Sequence, residues 1–139
     1  MIILDTNVIF EAMKPEPELA VTEWLNNQTV ETLYLSSIVL AELLFGVAAL
    51  PTGKRKNKLA DALNGITELF RDRVLMFDIP TAQAYAQLMA AARTAGKAIS
   101  VADGYIAATA AANGMMVATR DEQPFETAGV RVINPWKDG

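Results

Sequence analysis

The chain predicts an α/β fold with a mostly parallel sheet and helices on both faces, and three observations carry that expectation. Short apolar, β-rich runs alternate with longer stretches of helical periodicity, the pattern of repeated βαβ crossovers. The first run, Ile-Ile-Leu, is a continuous apolar segment of strand length that stops abruptly at Asp5. No repeat, linker or low-complexity tract breaks the 139 residues, so residues 1–139 form one domain around one core.

The elements follow in order. Ile2–Leu4 is the first strand and Thr6–Met13 the helix after it. Pro15 and Pro17 separate that helix from a second over Glu18–Asn27. The strand Leu33–Leu35 runs through Ser36 and Ser37 into an apolar helix, Ile38–Leu50, which a charged helix over Gly53–Arg71 follows. After the strand Val74–Phe77, Pro80 opens the helix Thr81–Ala95 and Gly96 closes it. Ser100–Asn113 is an Ala-rich helix with Ser100 as its natural N-cap and Gly114 at the C′ position. The strands Met115–Ala118 and Val130–Ile133 complete the pattern.

Composition narrows the chemistry. There is no His and no Cys, which removes Ser-His-Asp triads, thiol nucleophiles, imidazole acid–base catalysis and ordinary zinc sites. An enzyme built on this chain must work with carboxylates, hydroxyls, Lys, Arg, Tyr or a bound ion. Every apolar stretch is broken before it reaches membrane-spanning length, and Met1 leads straight into the first strand with no basic leader before it. The expected compartment is the cytoplasm, with no membrane partner. Mean hydropathy is +0.21, high for a small domain, so part of the apolar surface is expected to be covered by a partner or a second copy.

Four acids sit where structure alone does not call for them. Asp5 ends the first strand, at the sheet edge where open α/β folds bind ligands; its competing role is to cap the next helix, as Thr6 also can. Glu42 is the single charge in the apolar run SSIVLAELLFGVAAL, where an unpaired carboxylate is costly; a buried ion pair or a boundary position would account for it as well. Asp103 lies in the first turn of an Ala-rich helix and, taken alone, is explained by the helix dipole or a capping box with Ser100. Asp121 follows the strand before it as Asp5 follows the first, and a parallel sheet puts both on one edge.

Together these acids change the reading. Carboxylates gathered in one pocket cannot all stay ionised without a cation, and an oxygen-only donor set suits Mg²⁺ or Mn²⁺. Asn7, Ser36 and Thr119 are candidates to support the ligands or hold a water. Asp-Thr-Asn after an N-terminal strand, LAEL in a helix, ADGYIAATA and ATRD, in that order, resemble the acidic signature of the PIN-domain ribonucleases over essentially the whole chain. Within that family the sequence is similar to the VapC and FitB-like toxins, and its INPW ending fits the FitB-like type. The resemblance implies a three-layer α/β/α fold, Mg²⁺- or Mn²⁺-dependent RNA hydrolysis and homodimers. It also implies inhibition by a cognate antitoxin, through which operator DNA is bound.

On that reading Asp5, Glu42, Asp103 and Asp121 hold the ion or ions, with Glu42 acting through water or as a base. Net charge is −4, from 12 basic and 16 acidic residues, and setting the four ligands aside leaves twelve of each sign. Lys54, Arg55, Lys56 and Lys58 cluster in TGKRKNK, which reads first as a solvated helix face and second as an RNA-backbone contact. Arg120 either meets phosphate or pairs with the acids; Tyr105 and Trp24 read as core or interface. The rival to a nuclease is a non-catalytic α/β regulatory module that docks a partner protein, its acids serving as caps and ion pairs. A phosphatase acting through an aspartyl-phosphate ranks lower, because DTN lacks the second acid of Asp-x-Asp.

Overall fold

The computed structural model describes residues 1–138 of the chain. Its elements are β1 (Ile2–Leu4), α1 (Thr6–Met13), α2 (Leu19–Asn26), β2 (Leu33–Ser36), α3 (Ser37–Ala48), α4 (Lys54–Leu69), β3 (Val74–Leu75), α5 (Ile79–Thr94), α6 (Val101–Asn113), β4 (Met116–Ala118), α7 (Glu122–Thr127) and β5 (Val132–Ile133). The strands form one five-stranded sheet in the order β3-β2-β1-β4-β5, every pair parallel. The predicted α/β fold with its parallel central sheet is what is found.

The chain steps outward from β1 to β2 and β3, then returns past β1 to β4 and β5. With right-handed crossovers, that reversal puts α1–α4 on one face and α5–α7 on the other. The packing agrees: α1 lies against α2, α3 and α4, and α6 against α5 and α7. The strands are apolar because both faces are covered; Ile3, Leu4, Leu35 and Val117 are all fully buried. Val8, Val39, Leu43 and Ile106 from the helices close over them. Trp24 is in this core, as expected.

Helix starts are set by short polar side chains. Ser36 Oγ accepts from Val39 N at 3.1 Å, Asp78 Oδ1 from Thr81 N at 3.0 Å, and Ser100 Oγ from Asp103 N at 3.2 Å. These caps move the predicted boundaries of α3, α5 and α6 by a residue or two. Gly114, at φ 64°, ends α6 in the left-handed conformation expected of it.

Three features differ from the sequence expectation. β3 stops at Leu75, because Phe77 turns into an edge-on aromatic cluster with Tyr85 and Tyr105, at centroid distances of 6.3 and 5.0 Å. β5 begins at Val132, because the Val130 amide instead donates to Phe125 O at 3.0 Å. The stretch between β4 and β5 contains a helix, α7, anchored by the fully buried Phe125. No helix of the described residues is long and apolar enough to cross a membrane.

Surface apolar groups are present, as the hydropathy suggested. On α3 only Val39, Leu43 and Val47 are buried, while Leu44 and Phe45 are 49% and 73% exposed. Ile38, Ala41 and Phe45 line one shallow groove with Val101 and Tyr105 of α6. The all-round apolar character of α3 therefore reflects one core face and one open face. Glu42 stands beside that groove, half-buried rather than enclosed.

Candidate metal and active site

The reversal of strand order falls between β1 and β4, and open α/β sheets bind ligands in the crevice beyond the strand carboxyl ends at such a point. Asp5 and Thr119 are the first residues past those ends. The Asp5 amide donates to Ala118 O at 2.9 Å, carrying the β1–β4 pairing one residue further, and the Thr119 amide donates to Ile133 O at 2.9 Å. Both backbones are thereby fixed by the sheet.

Hydrogen bonds then tie the side chains together. Asp5 caps α1, its Oδ1 accepting from Thr6 N at 2.8 Å. Thr119 Oγ1 donates to Asp5 Oδ2 at 2.7 Å and accepts from Asn7 Nδ2 at 3.2 Å and from Asp121 N at 3.0 Å. Asn7 Oδ1 accepts from Arg120 N at 3.2 Å. On the other side Thr6 Oγ1 donates to Glu42 Oε1 at 2.8 Å. Capping engages only one Asp5 oxygen: Oδ1 holds the helix while Oδ2 joins the network that faces the pocket.

All four predicted acids line one open pocket of about 410 Å³, together with Thr6, Asn7 and Arg120. Asp5 is 5% exposed, Glu42 and Asp103 are half-buried, and Asp121 is exposed. Burial pushes the Asp5 carboxyl up to about 6 from its ordinary 3.8. Hydrogen bonds from Thr119 and Thr6 pull it back, and the charges of Asp103 and Glu42 raise it again. Among the described residues, no three acidic side chains converge into a preformed metal-ligand cluster. The donor set still fits a hard divalent cation: it is all oxygen, and its buried member is destabilised as an anion, first by burial and further by the charges of Asp103 and Glu42.

The first helix brings in residues that the acidic motifs do not contain. Thr6, Phe10, Glu11 and Lys14 of this helix and its C-cap line the pocket with Asn7, and positions 7, 10, 11 and 14 share one helical face. That spacing after DTN is the signal the sequence offers for them. Glu11 is buried; the Lys14 ammonium at 3.0 Å holds its carboxyl below the usual range, and it also accepts from Glu18 N at 3.1 Å. Trp136 comes from the INPW ending. Its ring lies 5.1 Å from the Arg120 guanidinium carbon, and its buried Nε1 has no partner among the described residues. Arg120 forms no salt bridge among those residues, although its charge adds to that of Lys14 in lowering Glu11.

Ser36, expected to support the site, is instead fully buried with its Oγ capping α3, and it does not line the pocket. Of the basic segment, Lys54, Arg55 and Lys58 are exposed and line a neighbouring cleft, and Lys56 Nζ donates to Ala48 O at 3.0 Å at the end of α3.

Replacing Thr119 with Val keeps the volume and removes the hydroxyl that Asp5, Asn7 and Asp121 share. Urea unfolding at pH 7.5 is expected to show a loss of about 1–3 kcal/mol. A change under about 0.5 kcal/mol would show that this hydroxyl does not hold the pocket together.

Similarity to known proteins extends over the whole chain. The PIN domain model matches residues 2–130. A VapC ribonuclease, Y4jK, of Sinorhizobium fredii is 56% identical over 138 residues, covering 99% of each chain. Toxin FitB of Neisseria gonorrhoeae is 51% identical over 139 residues, covering 99% of this chain and all of the relative. Among solved structures, FitAB bound to an IR36 DNA fragment superposes with a TM-score of 0.93 at 50% identity, covering 98% of this chain and 96% of that one.

Proposed function

This chain belongs to the PIN-domain family, and from that premise we propose that it is a Mg²⁺- or Mn²⁺-dependent endoribonuclease, the toxin of a toxin–antitoxin pair. The observation that carries the reading is the meeting of Asp5, Glu42, Asp103 and Asp121 in one pocket at the switch point of the sheet, in a chain without His or Cys.

Asp5, Asp103 and Asp121 are the residues to hold the cation, with Glu42 completing the set directly or through water. When bound, the ion supplies a water of lowered pKa and offsets charge on the scissile phosphate. The protein's own groups do the rest. Thr6 engages Glu42 Oε1, leaving Oε2 to orient the attacking water and take its proton. Thr119 and Asn7 keep Asp5 turned toward the pocket. Arg120, braced against Trp136, offers a planar fork of donors to a phosphate oxygen of the substrate.

Partners follow from the same reading. A cognate antitoxin inhibits the enzyme and carries any operator DNA contact; the related FitAB complex is seen on DNA. The open apolar groove of α3 and α6 gives a homodimer or the antitoxin a surface to cover. The proposed site of action is the cytoplasm. Inducing this chain alone is expected to arrest bacterial growth, and co-expressing its antitoxin to restore it. Unimpeded growth with demonstrably folded, RNA-cleaving protein would remove the toxin role and leave the nuclease.

A further inference from the structure

We propose that the cleft between α1 and α4 holds the single-stranded flank of the RNA cut in the acid pocket, an inference that rests on the nuclease reading. The cleft is about 600 Å³ and adjoins the acid pocket, with Phe10 and Lys14 lining both. Any strand cut in that pocket must leave it on two sides, and this cleft is a continuation the fold provides.

The chemistry of the cleft matches an unpaired strand. Phe10, Met13 and Leu59 give it an apolar floor, while Lys54, Arg55 and Lys58 stand exposed on its rim. None of those three cations forms an ion pair among the described residues, whereas Lys14 at the junction is held by Glu11. An apolar floor accepts an unstacked base and a basic rim accepts its phosphates; a duplex keeps its bases stacked and would meet only the rim.

The placement of these cations also runs against local helix preference. Lys54 and Arg55 occupy the first turn of α4, which contains no acid, although the helix dipole disfavours positive charge there. In a chain of net charge −4, two unpaired cations in the first turn of α4 and a third, Lys58, one turn on give this cleft a local positive rim suited to an anion.

The test uses a short fluorescein-labelled single-stranded RNA, a hairpin of matched length, and the triple variant Lys54→Ala/Arg55→Ala/Lys58→Ala. Anisotropy in EDTA reads binding without cleavage, and turnover in Mg²⁺ reads kcat and KM separately. Relative to wild type, the variant is expected to bind the single strand at least tenfold more weakly. Its salt dependence should be flatter by about two, at roughly 0.7 for each phosphate no longer neutralised. KM should rise similarly with kcat within about twofold, and Lys54→Arg/Lys58→Arg should bind as wild type does. Equal binding and KM in the triple variant and wild type would overturn the proposal. Unchanged RNA binding with weakened affinity for the antitoxin would also overturn it and give the cleft to the protein partner. Cleft-dependent binding by a wild type that cleaves no RNA would instead overturn the nuclease reading and leave the cleft as an RNA site. A wild type that neither binds nor cleaves RNA would overturn both.

Discussion

Asp5→Asn is expected to lose RNA cleavage by at least 10²–10³-fold, roughly the cost of removing one preorganised electrostatic group from an active site, while the metal-free protein becomes more stable at neutral pH. The two effects have one cause. Burial and the charges of Asp103 and Glu42 lift the Asp5 carboxyl to about 6. Its folded value therefore lies above its ordinary value of 3.8, so the folded state binds the extra proton between them. Stability from this group is fully present below about pH 3.8 and is lost as pH rises through 6. The Asn variant escapes that loss. Asn is as good an N-cap as Asp, and its amide gives up about one hydrogen bond in the Thr119 network. The net gain at pH 7.5 is on the order of 1–2 kcal/mol, and it vanishes near pH 4. A variant less stable than wild type at pH 7.5, or one that still cleaves, would contradict this account.

Saturating Mn²⁺ is expected to raise the melting temperature of the wild type by roughly 10 °C, from about 2.7 kcal/mol of binding free energy at a hundred times Kd spread over a domain of this size. The double variant Asp5→Asn/Asp103→Asn should show none of that rise. These residues come from different elements, Asp5 from the end of β1 and Asp103 from the first turn of α6, so only the folded chain presents both to one ion. The shift should shrink as pH falls through 6, because the proton then competes for Asp5. Differential scanning fluorimetry across pH checks both statements. An equal rise in wild type and double variant would place the ion elsewhere.

Much of this was legible in the sequence because parallel topology converts local pattern into geometry. Asp5 and Asp121 each follow a strand, and a parallel sheet leaves them no choice of edge. Asp103 opens a helix with a clear N-cap at Ser100, so its place past the strand ends also follows. The rest depended on contacts that pattern does not carry. α7 has six residues and one buried side chain, Phe125, too little to show a period. Trp136 reaches the pocket only because the chain end folds back, with Asn134 Oδ1 accepting from Trp136 N at 2.9 Å and Asn134 Nδ2 donating to Glu122 Oε2 at 3.1 Å. Ser36 resembled a site hydroxyl, but the amide of Val39 claims it. Glu42 looked enclosed because α3 is apolar on all sides, and sequence does not tell its buried side from its open one.

The most direct test is cleavage itself. Purified, partner-free protein would be incubated with a panel of labelled structured RNAs in Mg²⁺, in Mn²⁺ and in EDTA, with Asp5→Asn in parallel. Cleavage is expected with either metal, with none in EDTA and none above background for the variant. Cleavage that persists in EDTA or in Asp5→Asn would contradict the metal site. No cleavage of any RNA together with no Mn²⁺ binding would return the four acids to caps and ion pairs, and the chain to a partner-docking domain.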